Sequence, residues 1–118
     1  MPKFMTIVRG SEKHAEPPPA LFAAIDQLMK DAGKRLVGVG GLLSSAKGAR
    51  ARLTKGNVTV TDGPFTEAKE VVGGYAVLEW ASRETAIEGA LAFMRLHQQH
   101  WPGWQGECEV RPIVFLAP

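Results

Sequence analysis

Two segments of helical periodicity, each bracketed by short runs of β-branched and aromatic residues, constrain this chain more than any other feature. In residues 19–32, Leu21, Ile25, Leu28 and Met29 recur at helical spacing, while Asp26, Gln27, Lys30 and Asp31 fall off that stripe. Prolines at 17–19 lead into it, because proline lacks a backbone donor and has φ preset for a helix's first turn. Gly33 stands where a left-handed C-terminal residue is wanted. The second helix is expected to open at Ser82, whose hydroxyl can cap free N–H groups, with Glu84 complementing the positive helix end. Its apolar stripe is Ile87, Ala90, Leu91 and Met94, out to about His97.

The β-type runs supply the remainder. Residues 3–9, with Phe4, Met5, Ile7 and Val8, predict a central first strand. Residues 35–43 predict a second, bent where three glycines interrupt it. After a loop at 44–48, two alternating runs at 49–54 and 57–62 meet at the turn-like Lys55-Gly56-Asn57, the pattern of a β-hairpin. Residues 70–80 form the most strand-like segment, with a bulge expected at Gly73-Gly74. Residues 107–116 predict the closing strand, with Pro112 at an edge or bulge. The result is an α+β chain with a ferredoxin-like βαββαβ skeleton and an extra β-hairpin. Two helices on one face leave the other face of an apolar sheet to be covered, and a second copy is the simplest cover, so a homodimer is expected.

The chain's 118 residues suffice for one domain, expected over 1–118, and not for two. Fourteen basic residues are interspersed with twelve acidic ones, so neither a nucleic-acid footprint nor an acidic-membrane footprint stands out. The lone Cys108 cannot staple the fold, the N-terminal run carries no small-residue cleavage pattern, and no apolar stretch reaches membrane-spanning length, so a soluble cytoplasmic protein is expected.

Charge gathers at one turn, where Asp62, Glu67, Lys69 and Glu70 surround Asp62-Gly63-Pro64-Phe65 and Arg50 and Arg52 arrive from the hairpin. If burial and charged neighbours tune it, Asp62 is a candidate general base, with an Arg or Lys holding an anionic substrate group. The alternative is a plain turn, since Asp, Gly and Pro are each favoured in turns. Other candidates carry weaker patterns. His97, His100, Cys108 and His14 lack paired-ligand spacing, so no metal is expected. Trp101 and Trp104 read as staples of their loop onto the second helix, with an aromatic pocket wall as the alternative. Gly38-Val39-Gly40-Gly41 is not followed by a helix that could hold a phosphate, Ser44 and Ser45 lack a nucleophile-elbow pattern, and Cys108 reads as an inert packed thiol.

The string from Asp62 to Glu70, followed by Val72-Gly73-Gly74-Tyr75, closely resembles the signature of the DGPF proteins within the YCII-related family. The likeness extends to Lys3-Phe4-Met5, the 38–45 stretch, Gly48-Ala49-Arg50, Val58-Thr59-Val60-Thr61 and Glu109-Val110-Arg111-Pro112. It implies a dimeric α+β barrel. The resemblance further implies an acid-base site built on a His and Asp pair, with one branch of the family acting as a dehydrochlorinase on a chlorinated hydroxyquinol. Asp62 matches the Asp; where the His is expected the chain has Leu21, Phe22 and Ile25, and the nearest histidine is His14 in the preceding loop. The expected catalytic pair is therefore Asp62 with His14, with Arg50, Arg52, Phe65, Glu67, Lys69 and Glu70 binding a small polar or anionic molecule. Chemistry at such a site would be isomerase or lyase type, without a cofactor. Many DGPF genes lie beside those for extracytoplasmic-function sigma factors, and this implies the alternative, a non-catalytic dimeric regulatory module that binds a sigma factor.

Overall fold

The computed structural model describes residues 1–14 and 16–116. Strand β1 (Lys3–Gly10) is followed by helix α1 (Pro19–Ala32), β2 (Leu36–Gly41), β3 (Ala49–Thr54), β4 (Asn57–Asp62), β5 (Val71–Glu79), helix α2 (Arg83–His100) and β6 (Gly106–Pro112). Four strands form an antiparallel sheet in the order β2-β5-β1-β6, which is the ferredoxin-like arrangement, and β3 and β4 form a separate two-stranded hairpin.

The register explains which side chains meet. Phe4, Thr6 and Val8 lie opposite Leu78, Ala76 and Gly74, and Val39 lies opposite Ala76. With side chains alternating along a strand, these positions share one face. Phe4, Ala76 and Leu78 are buried there, with Leu21 of α1 and Ala86 and Ala90 of α2. The opposite face carries Met5, Ile7 and Val77, flanked by ion pairs of Lys3 with Glu79 at 3.4 Å and of Arg9 with Glu109. Gly73 is the unpaired residue of a bulge in β5, and Val37 takes the same role in β2. A bulge favours a bend in its strand, and both bulges fall beside glycines.

Local chemistry sets the ends of the elements. Ser82 caps α2 in a reciprocal box, its hydroxyl accepting the Thr85 N–H at 3.2 Å while Thr85 Oγ1 accepts the Ser82 N–H at 3.1 Å. Such a cap contributes about 1 kcal/mol. The helix continues to His100, three residues past the expected His97, and gives way at Trp101. Gln98 and Gln99 are good helix formers, whereas the residue before Pro102 is disfavoured in helical geometry. Strand β6 stops at Pro112 rather than 116, after a last bond from Ile113 N–H to the Lys3 carbonyl at 2.9 Å. Pro112 has no N–H for a ladder, and β6 is an edge strand where that is tolerated. The hairpin turns at Lys55 and Gly56, with φ of 51° and 81°, a primed turn whose twist matches its strands. Its apolar residues Leu53, Val58 and Val60 are all exposed.

Candidate functional site

Between the sheet and the two helices lies a cavity of about 570 Å3. Thr6, Val8 and Ala76 of the sheet, Phe22, Ile25 and Met29 of α1, and Ala92 and Phe93 of α2 give it a predominantly apolar lining. Glu12 and His14, from the loop after β1, also line it, and His14 meets Trp101, which with Trp104 borders His97. Its size falls among small-molecule sites, roughly 300–1,000 Å3, and an apolar chamber with a few polar groups at one place is their usual character.

The aromatic end is built by α2 and the turn that follows it. His97 is 6% exposed, and its Nδ1 lies 3.1 Å from the Phe93 carbonyl one turn earlier. Its ring packs on Phe93 at 4.8 Å and on Trp104 at 4.6 Å, while Trp101 and Trp104 stack at 5.7 Å and His14 meets Trp101 edge-on at 4.9 Å. Trp104 can lie this close to the sheet because residue 106 has no side chain. A Cβ at Gly106 would come within 2.4 Å of the indole and 2.5 Å of the Arg9 carbonyl. Burial lowers the His97 pKa, against the opposing effect of the bond to Phe93, and keeps the ring neutral.

Glu12 joins this end of the cavity to the loops beyond it. Its carboxylate accepts the Ser45 N–H at 2.5 Å and the Ser45 hydroxyl at 2.7 Å, and Ser45 Oγ in turn accepts the Phe65 N–H at 3.0 Å. Gly63 N–H donates to the Gly48 carbonyl at 2.9 Å, and Gly48 N–H to the Ser45 carbonyl at 3.0 Å. The 62–65 turn is thereby latched onto the Ser45–Lys47 3-10 turn. The hydrogen bond from the Ser45 hydroxyl, then that from its backbone, holds the Glu12 carboxyl below the usual carboxylate range, and His14 adds to the effect. A carboxyl so lowered stabilises the fold at pH values above its unfolded pKa, about 4.3, and loses that stabilisation as pH falls through the lower folded value. Urea midpoints of wild type and Glu12→Gln are expected to differ at neutral pH and to converge as pH drops below about 4. A gap independent of pH contradicts this role for Glu12.

Of the residues expected from the sequence to form the site, His14 alone lines the cavity among the described residues. Asp62 ends β4 opposite Ala49 and is exposed rather than enclosed in a cleft. Arg50 forms an ion pair with Glu67 and lies over the Phe65 ring at 3.8 Å, so these three come together on the surface of the latched loop. The loop's own backbone bond, then Arg50, keeps the Glu67 carboxyl low. Arg52, Lys69 and Glu70 are exposed nearby in sequence. Burial pushes the Cys108 thiol up to about 11, which keeps it protonated and unreactive. Among the described residues no three His, Cys, Asp or Glu side chains gather as a metal cluster, and no helix is long and apolar enough to cross a membrane. Sequence reasoning passed over Glu12, whose partner Ser45 is 33 residues away. It placed His97 at a helix end, where the packing of Trp101 and Trp104 is the signal that locates it.

Comparison with known proteins places the chain in a family. The YCII-related domain matches residues 3–97. The uncharacterized protein R00369 of Rhizobium meliloti (strain 1021) is 30% identical over 97 residues, covering 82% of this chain and 73% of that protein. By the domain match, which spans most of its length, the chain belongs to the YCII-related family.

Proposed function

We propose that this protein binds a small, largely apolar molecule in the cavity beneath α1 and performs acid-base chemistry on it without a redox cofactor, as an isomerase or lyase. The observation that carries this reading is that His14 and His97 both border Trp101, with the Glu12 carboxylate acting on His14, in the lining of an otherwise apolar chamber. An imidazole there takes a proton from carbon next to a carbonyl. The electron pair moves onto the carbonyl oxygen, and the proton returns at another atom or a leaving group departs. His14 keeps the acid-base role that the family resemblance implies, and Glu12, bonded to Ser45 and linked to His14 through its charge, takes the partner position expected of Asp62. Arg50, engaged with Glu67 and Phe65, serves the loop instead of an anionic substrate.

The test is a fragment screen read by NMR. Binders are expected to shift the methyl resonances of Val8, Leu21, Ile25 and Leu28, which line the cavity. Binders that shift only residues 62–70 overturn the reading in favour of the exposed charged turn.

A second reading, a non-catalytic module that meets another protein such as a sigma factor, is favoured by the exposed Leu53, Val58 and Val60 on a two-stranded hairpin. Such a hairpin is marginal alone and gains from a cover. Under either reading we place a second copy of the chain against the sheet face that carries Met5, Ile7 and Val77.

A further inference from the structure

We infer that His97 Nε2 is the hydrogen-bond acceptor that reads the ligand in this cavity, and that the ligand is a flat, uncharged ring system bearing one N–H or O–H donor. The inference deepens the cavity reading and rests on it. A carbonyl oxygen only accepts, so the 3.1 Å contact with Phe93 requires the proton on His97 Nδ1 and leaves the lone pair of the neutral ring on Nε2. His97 is 6% exposed, yet Nε2 has no hydrogen-bond partner among the described residues. Every fully buried polar side-chain atom among those residues does have a partner. Nε2 is therefore reached from the cavity that His97 lines. An acceptor on the wall of an apolar cavity loses its bond to water when a ligand fills the space, so a ligand that brings its own donor to Nε2 is preferred over one that does not.

The surroundings define the rest of the ligand. Trp104 and Phe93 pack on the imidazole at 4.6 and 4.8 Å, and Trp101 stacks on Trp104 with 20° between the planes. Flat apolar faces of this kind favour stacking or edge contact with another ring. The lining residues of full charge are already engaged. Glu12 is bonded to Ser45, and Arg35 lies over Trp80 at 4.9 Å. A charged ligand would lose its hydration without an open partner, which favours a neutral one.

Two isomers of equal size test the point. 3-Methylindole keeps the N–H donor and 1-methylindole lacks it. By titration into the full chain, 3-methylindole is expected to bind about tenfold more tightly, the worth of one buried hydrogen bond. In His97→Phe, which retains a ring, that preference should vanish. The wild type provides a readout independent of the variant's folding: the 15N resonance of the unprotonated His97 nitrogen should move with 3-methylindole and stay in place with 1-methylindole. Equal binding of both isomers with a static 15N signal overturns the inference and leaves the cavity reading standing. If neither isomer perturbs the Val8 and Leu28 methyls, both fall.

Discussion

Replacing Gly63 with alanine is expected to destabilise the protein by about 3 kcal/mol, because no other glycine would place a Cβ so close to its neighbours. A Cβ at this position would stand 1.7 Å from the Ser45 carbonyl oxygen and 2.6 Å from its carbon. The obstacle is backbone, not a side chain that can swing aside. That backbone is held on one side by the two bonds to Glu12 and on the other by the bonds that tie Gly48 to Ser45 and Gly63 to Gly48. To admit a methyl, the 62–65 turn must part from the 3-10 turn and give up the Phe65 bond to Ser45 Oγ as well. Core overpacking usually costs about 1–3 kcal/mol, and this site stands at the upper end because nothing nearby can yield. Urea denaturation measures the loss, and limited proteolysis should locate the opened region between residues 45 and 70. A loss under about 0.5 kcal/mol contradicts the latched turn.

Leu21→Ala should cost a comparable amount, about 3 kcal/mol. Leu21 is 2% exposed and is the largest fully buried side chain described. It lies in the first turns of α1, where Pro18 and Pro19 set the helix direction and the Leu21 N–H bonds to the Pro18 carbonyl at 3.0 Å. Removing the side chain takes away contacts that hold α1 to the sheet and enlarges a cavity that is already present, so the surroundings have little to collapse with. Phe22, beside it in sequence but 59% exposed, provides the control. Phe22→Ala should change the unfolding midpoint far less. Comparable losses at the two positions would mean that α1 is not seated by Leu21.

The elements were legible because their signals are local. Helical spacing, the prolines before α1, the Ser82 cap and the paired glycines of β5 each act within a few residues, and each stands where the sequence placed it. The βαββαβ order followed from them, since few sheet topologies accept that order of elements. What the sequence did not reveal depends on contacts between distant residues. The charge around Asp62 left a general base and a plain turn open, and what bears on that choice, the commitment of the turn's backbone to Ser45 and the pairing of Arg50 with Glu67, lies 17 to 20 residues apart in sequence. Glu12 looked like one more loop carboxylate until the fold brought Ser45 to it. His97 looked like a helix-end histidine because neither the bend at Trp101 nor the approach of Trp104 through Gly106 can be read from a 3.6-residue period.

The central claim, that the cavity beneath α1 and not the turn at Asp62 is the ligand site, is tested most directly by one paired thermal-shift measurement. The strongest aromatic binder from the fragment screen is added to wild type, to Asp62→Asn and to Ala92→Trp, which places an indole inside the cavity that Ala92 lines. A ligand that binds only the folded state raises the melting temperature, by the equivalent of about 2.7 kcal/mol at a hundred times its Kd. The account predicts that Asp62→Asn keeps the full shift and that Ala92→Trp loses it. A shift abolished in Asp62→Asn and retained in Ala92→Trp would contradict it.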